Sequence, residues 1–174
     1  MILMGVTGSG KTTVGRALAA RLRWKFADAD DFHYAANVRK MSRGVPLHDA
    51  DRAPWLAALH AAIVQWTREH QDTVLACSAL KRSYREQLGL GHGVKIVYLR
   101  GSLEFIRERL HSRSGHYATE AILASQFEAL EEPRDDEALV VSIEQELAEI
   151  VDEILKRLPI REFGPSNTAS EYRD

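Results

Sequence analysis

The chain has 174 residues, with 23 basic and 25 acidic side chains and one cysteine. This length favours a single domain with a sizeable core. The balanced charge, without a basic stripe, argues against a nucleic-acid partner, and no apolar run approaches the ~20 residues that span a membrane. One cysteine cannot form an internal disulfide, so the composition fits a cytoplasmic protein.

The chain opens with an apolar segment, Met1–Met4, which predicts a strand. A glycine-rich loop and a predicted helix, Lys11–Leu22, follow directly. The loop has the phosphate-binding pattern and comprises Gly5, Val6, Thr7, Gly8, Ser9, Gly10, Lys11 and Thr12, followed by Thr13. In this setting backbone N–H groups and the helix N-terminus face one anion, Lys11 reaches the outer phosphates and Thr12 ligates Mg²⁺. The alternative, a glycine-rich turn without chemistry, does not account for the flanking strand and helix. We predict that residues 5–13 bind ATP.

Acidic residues follow the second predicted strand, Trp24–Ala27. If the extended backbone continues, Asp28 and Asp30 point to the same side, toward the phosphate loop. We predict that Asp28 holds Mg²⁺ through water and that Asp30 is the general base for an attacking hydroxyl. The alternative is that the acidic run is a solvated turn or caps the next helix.

The remaining segments alternate between helical and strand patterns. Helices are predicted at Ala35–Met41, Asp51–Glu69, Ser78–Leu88, Ser102–His111, Glu120–Leu130 and Leu147–Leu158, and strands at Thr73–Cys77, Val94–Leu99 and Ala138–Ile143. Continuous apolar strands between helices predict a parallel sheet covered on both faces, with ligands at the carboxyl ends of the strands. The domain is predicted to span residues 1–158, and residues 159–174 read as a disordered polar tail.

The strand predicted to end at Cys77 is followed by Ser78, where many phosphate-loop hydrolases have an aspartate for Mg²⁺. This difference disfavours a motor, helicase or switch protein and favours a small-molecule kinase. We predict that Cys77 is a small buried residue rather than a catalytic thiol.

Basic residues form three clusters, and the third enters a glycine-containing loop. The clusters are Arg39 with Lys40, Lys81 with Arg85, and Arg109 with Arg113. We predict a mobile lid at about residues 111–120, whose arginines stabilise charge during phosphoryl transfer. A solvated helix face is the alternative for any isolated pair. His33 and His116 have no partner at metal-ligand spacing and are predicted to form hydrogen bonds with the substrate or lid.

These residues together resemble the gluconokinases of the small phosphate-loop type, over Ile2 to about Leu158. The shared motifs include residues 4–12, 28–33, 37–41, 44–56, 77–85, 115–116 and 126–133. The resemblance implies an α/β, three-layer P-loop kinase fold with a five-stranded parallel sheet and a mobile lid, related to shikimate kinase and nucleoside monophosphate kinases. It also implies Mg²⁺-dependent transfer of the γ-phosphoryl group of ATP to the 6-hydroxyl of D-gluconate, and a homodimer.

Individual roles also follow from the resemblance. Catalysis would involve Lys11, Asp30, Arg109 and Arg113. Substrate binding would involve Asp30, His33, Arg39, Arg52, Ser78, Lys81, Arg85 and His116, with the basic groups suited to a carboxylate. The chain departs from the family pattern at Tyr34, His48 and Tyr117. Two alternatives stay open: a kinase for another small hydroxy acid such as shikimate, and a catalytically inactive nucleotide-binding module.

Overall fold

Five parallel strands form one sheet at the centre of the protein. The structure, a computed structural model, describes residues 1–43, 45, 47–89, 93–111 and 120–158. The strand order is β2-β3-β1-β4-β5. The strands are β1 (Ile2–Met4), β2 (Lys25–Asp28), β3 (Thr73–Ala76), β4 (Ile96–Arg100) and β5 (Leu139–Ser142). The predicted five-stranded parallel sheet is confirmed.

Seven α-helices and one 3₁₀ turn are found among the described residues. They are α1 (Lys11–Leu22), the 3₁₀ turn (Ala29–Phe32), α2 (Ala35–Ser42), α3 (Asp49–Arg68), α4 (Arg82–Gln87), α5 (Leu103–His111), α6 (Glu120–Ala129) and α7 (Leu147–Arg157). Most boundaries lie within two residues of the sequence-based ones. The main error is the start of α4, which was predicted at Ser78. Ala79 has a φ of 45° and Lys81 is extended, so the helix begins only at Arg82.

The sheet buries both of its faces, because successive side chains of each strand point in opposite directions. Leu3 of β1 packs with α1 and α7 through Leu18 and Ile154. Its neighbours Ile2 and Met4 pack on the other face, in a second cluster that includes Trp55, Leu56 and Leu59 of α3. The result is three layers, with helices on both sides of the sheet.

The start of α3 positions one wall of the candidate site. His48 precedes the helix, and the Asp51 carboxylate accepts the His48 backbone N–H at 3.1 Å. The helix was predicted to begin at Asp51, whereas it begins at Asp49 and Asp51 closes a capping box in its first turn. Pro54 is accommodated in the next turn. No helix in the described part of the chain is long and apolar enough to cross a membrane.

Candidate active site

The phosphate loop connects β1 to α1 and lines a cavity of about 490 Å³. Gly10 precedes α1 with a φ of 90°, and Gly8 has a φ of 79°, so both positions favour glycine. A Cβ on Gly8 would lie 2.9 Å from the Ile106 side chain. The loop therefore has the curled backbone that its sequence predicts, with the N-terminus of α1 behind it.

Lys11 lines this cavity, and its ammonium donates to the Val6 carbonyl at 2.9 Å. Burial lowers the pKa of Lys11, while the negative charges of Asp30 and Asp28 oppose that shift. The lysine charge is therefore partly desolvated and faces the carboxylates across the cavity, an arrangement suited to an anionic ligand.

Asp28 connects the acidic run to the phosphate loop. Its Oδ2 accepts the Thr12 hydroxyl at 2.9 Å, and its Oδ1 accepts the Asp30 backbone N–H at 3.2 Å. The extended geometry expected here ends at Asp28, because the 3₁₀ turn starts at Ala29. Asp28 and Asp30 nevertheless line the same cavity as Lys11.

Asp30 follows Asp28 in the 3₁₀ turn, and its side chain is exposed along the cavity. Desolvation by the surrounding protein raises the pKa of Asp30, the neighbouring Asp28 charge raises it further, and His33 and Lys11 oppose the shift. A carboxylate with a raised pKa is a better proton acceptor than an ordinary aspartate, provided that it is ionised at the working pH.

A second, smaller cavity of about 190 Å³ lies beyond Asp30. Its polar wall includes His33 and Arg52. The His33 ring stacks on Trp55, with ring centroids 4.7 Å apart, and the Trp55 indole donates to the Ala29 carbonyl at 2.7 Å. Burial lowers the pKa of His33, and its Nδ1 has no hydrogen-bond partner among the described residues. The imidazole is thus stacked on Trp55, with its neutral form favoured and its buried Nδ1 unpaired among the described residues.

Among the described residues, the two cavities share three lining residues: Asp30, Ser78 and Gln126. A group bound in one cavity can therefore meet a group bound in the other beside these side chains. Asp30 and Ser78 were predicted from the sequence. Gln126 was not given a role, although it lies in one of the quoted motifs.

Chains with a known activity share this architecture. The shikimate kinase family profile matches residues 7–159. The gluconokinase of Gluconobacter oxydans is 45% identical over 158 residues, covering 90% of this chain and 89% of that protein. The crystal structure of a gluconokinase from Sinorhizobium meliloti is 43% identical, with a TM-score of 0.81, and covers 89% of this chain and 88% of that one. This chain belongs to the gluconokinase family.

The similarity to shikimate kinase structures concerns the fold. A shikimate kinase from Acinetobacter baumannii is 22% identical, with a TM-score of 0.56 over 89% of both chains. At this identity the likeness shows only that gluconokinases and shikimate kinases share the P-loop kinase fold. Membership of the gluconokinase family makes this chain a kinase, as the phosphate loop predicted.

Arg85 was predicted to bind substrate, and the structure contradicts this. Its side chain is fully buried, where it donates to the carbonyls of Leu80 and Glu131 and to the Glu137 carboxylate, each within 3.1 Å. Arg85 and Lys81 are four residues apart, but Lys81 precedes α4 in extended conformation, so the two side chains do not share a face. The guanidinium joins α4 to the segment before β5 and is not exposed to either cavity.

Lys81 and Arg52 both contact Asp49 at the start of α3. Lys81 Nζ lies 2.7 Å from Asp49 Oδ2, and an Arg52 nitrogen lies 3.8 Å from Oδ1. Tyr84 also donates to this carboxylate. Lys81 and Arg52, which were both predicted to bind substrate, thus share a carboxylate to which the sequence analysis gave no role.

The remaining residues with a predicted role differ in their position relative to the two cavities. Arg39 is exposed on α2 and does not line either cavity. Arg109 lies beside the phosphate loop, since a Cβ on Gly10 would lie 3.6 Å from its guanidinium. Arg113, His116 and most of the predicted lid lie in residues 112–119, outside the described residues. The predicted tail at 159–174 also lies outside them. Cys77 is buried as predicted, and burial raises its thiol pKa to about 12.

Proposed function

We propose that this protein transfers the γ-phosphoryl group of ATP to the 6-hydroxyl of D-gluconate, giving 6-phospho-D-gluconate and ADP. The observation that carries the proposal is that Asp30 lies between two cavities, one lined by the phosphate loop and the other by His33 and Arg52. The family's characterised members are named for this activity. A hydroxy acid would occupy the smaller cavity, with its anionic end toward Arg52.

Phosphoryl transfer needs position and charge more than covalent chemistry. The Asp30 carboxylate accepts the proton of the acceptor hydroxyl, whose oxygen forms a bond to the γ-phosphorus. The bond between that phosphorus and the bridging oxygen breaks, and the electron pair leaves with ADP. Lys11 and Arg109 stabilise the charge that spreads over the transferring group, and we propose that Arg113 and His116 join them from the lid.

Mg²⁺ fits the oxygen-rich donors beside the loop. Thr12 and Asp28 present a hydroxyl and a carboxylate 2.9 Å apart, which suits a hard cation. Among the described residues, no three His, Cys, Asp or Glu side chains group into a separate metal site. Thr12 directly, and Asp28 through water, would hold the ion against the nucleotide. When bound, it supplies charge neutralisation for the outer phosphates.

Three further properties complete the proposal. The domain comprises residues 1–158 with a lid at about 111–120, the protein acts in the cytoplasm, and two copies form a homodimer, as the family resemblance implies. Light scattering coupled to size-exclusion chromatography tests the dimer. A species at the 19.6 kDa monomer mass at micromolar concentration would contradict it.

An acceptor screen tests the activity. ADP release is measured with ATP and Mg²⁺ alone, and then with D-gluconate, shikimate or other sugar acids. We expect rapid turnover with D-gluconate and little with shikimate or without acceptor. Turnover with shikimate would support the other kinase, whereas ATP binding without acceptor-dependent turnover would indicate an inactive nucleotide-binding module.

A further inference from the structure

The side chain of Gln126 on α6 forms a hydrogen bond with the phosphate loop. Its Oε1 accepts the Thr7 backbone N–H at 2.6 Å, across 119 positions of sequence. Gln126 lies on α6, the first described element after residues 112–119, and Thr7 is the third residue of the loop. The contact therefore ties the helix after the predicted lid to the nucleotide cavity.

The orientation of the Gln126 amide follows from this contact. A backbone N–H can only donate, so the atom that faces Thr7 is the oxygen, and the amide nitrogen with its two N–H donors faces elsewhere. Because Gln126 lines both cavities, those donors lie at the boundary where a phosphoryl group would pass between them.

A kinase must also keep water from taking the phosphoryl group. Asp30 can accept a proton from water as well as from a sugar hydroxyl, so the base alone does not select the acceptor. Selection requires a group that holds the acceptor hydroxyl in line with the phosphorus. Of the residues common to both cavities, Gln126 alone is also hydrogen-bonded to the phosphate loop through its side chain, among the described contacts.

We propose that Gln126 is a positioning residue that couples the acceptor to the phosphate loop. Its oxygen fixes the loop through Thr7, and its nitrogen donates to the acceptor hydroxyl or to the transferring phosphoryl oxygens. The proposal rests on the proposed function, because it concerns how the same site divides the phosphoryl group between the sugar acid and water.

The test compares Gln126→Met and Gln126→Glu with the wild-type protein. Gln126→Met removes both amide functions, whereas Gln126→Glu keeps an oxygen that can accept from Thr7 but removes the N–H donors. With both variants we expect kcat for D-gluconate to fall by about 10²-fold, the scale for losing one preorganised donor. Acceptor-independent ATP hydrolysis should persist, so the ratio of transfer to hydrolysis should fall by a similar factor.

Controls separate this role from a structural one. ATP affinity of Gln126→Met, measured by calorimetry, should stay within about twofold of the wild type, because Lys11 and the other N–H groups of the loop still bind the phosphates. Gln65→Met changes an exposed glutamine of α3 whose side chain pairs with Glu69, and it should leave the ratio unchanged. If transfer and hydrolysis fall together in both Gln126 variants, or if neither changes, the proposal is wrong.

A second measurement needs no acceptor. The Thr7 amide proton should shift in the NMR spectrum of Gln126→Met and remain near its wild-type position in Gln126→Glu. An unchanged Thr7 resonance in Gln126→Met would show that the contact is not made and would overturn the inference. Wild-type turnover with D-gluconate decides the proposed function separately, so failure of one is distinguishable from failure of the other.

Discussion

Two groups of charged side chains among the described residues differ in their burial and in the number of partners that they have. The phosphate-loop charges are Lys11, Asp28 and Asp30, and the buried arginine cluster is Arg85 with Glu137. Arg85 donates to backbone carbonyls and to Glu137, which also pairs with Arg82 and Arg134. Lys11 donates to one carbonyl, its pKa is lowered by burial, and the pKa of Asp30 is raised.

The difference separates charges that hold the fold from charges that are placed for a ligand. Buried charges that have several partners hold a packing arrangement together, and removing one partner imposes a desolvation penalty on the charge that is left. Charged groups that have shifted pKa values and few hydrogen-bond partners destabilise the folded state. Such groups are typical of binding and catalytic sites. Each of the four predictions below tests one side of this comparison.

Lys11→Ala should have the largest effect. Phosphoryl transfer should fall by about 10³-fold or more, because the only lysine in the loop no longer neutralises the outer phosphates. Thermal unfolding should change little or improve, since a desolvated charge is removed. Steady-state kinetics and calorimetry measure the two effects. Lys25→Ala, at an exposed lysine paired with Gln71, is the control, and retained turnover in Lys11→Ala would contradict the loop assignment.

Arg85→Ala should act in the opposite way. We expect a loss of about 3 kcal/mol in the free energy of unfolding, because the Glu137 carboxylate loses its fully buried partner and the carbonyls of Leu80 and Glu131 lose their donor. Denaturant unfolding measures this loss, and activity per folded molecule should be preserved at low temperature. Arg82→Ala is the matched control: it removes a half-exposed partner of the same carboxylate and should cost less than about 1 kcal/mol. A stable but inactive Arg85 variant would restore the rejected substrate-binding role.

Asp30→Asn should lower kcat by about 10²-fold, the scale of a lost general base. The Kd for ATP, measured by calorimetry, should change little because the phosphate loop is intact. If ATP affinity fell and kcat did not, Asp30 would belong to the metal site and its role would be exchanged with that of Asp28.

Asp28→Asn should have the smallest effect, a shift in the pH dependence of kcat/KM measured at saturating Mg²⁺. The active form requires ionised Asp30, whose pKa is raised, so activity is lost as the pH falls through that raised value. Removing the Asp28 charge lowers the pKa of Asp30, which moves the acid limb to lower pH. Asp31→Asn, at the weakest of the contributing neighbours, should move the limb less. A limb that shifts upward would contradict the electrostatic account.

Local sequence was sufficient to predict the phosphate loop and the sheet. The loop's chemistry lies in consecutive residues, and apolar strands have a period that is readable without tertiary information. Spacing also located Asp28 and Asp30, although a 3₁₀ turn replaced the expected extended backbone. Their cavity is shared with the phosphate loop because β1 and β2 end at the same edge of the parallel sheet, with β3 between them.

Contacts between distant segments were not predictable in this way. Lys81 and Arg85 look equivalent in sequence, yet the positive φ of Ala79 delays α4 and directs one side chain to Asp49 and the other into the core. Gln126 contacts Thr7 across 119 positions of sequence, and Asp49 contacts Arg52, Lys81 and Tyr84 from two helices and a loop. Such partnerships depend on the packed fold rather than on local pattern.

The position of the phosphate on the product tests the central claim most directly. The wild-type protein is incubated with ATP, Mg²⁺ and D-gluconate, and the product is examined by ³¹P–¹H correlation NMR. The account predicts a phosphate ester coupled to the two protons on carbon 6, formed only when the acceptor is present. Phosphate on a secondary hydroxyl, or inorganic phosphate alone, would contradict it.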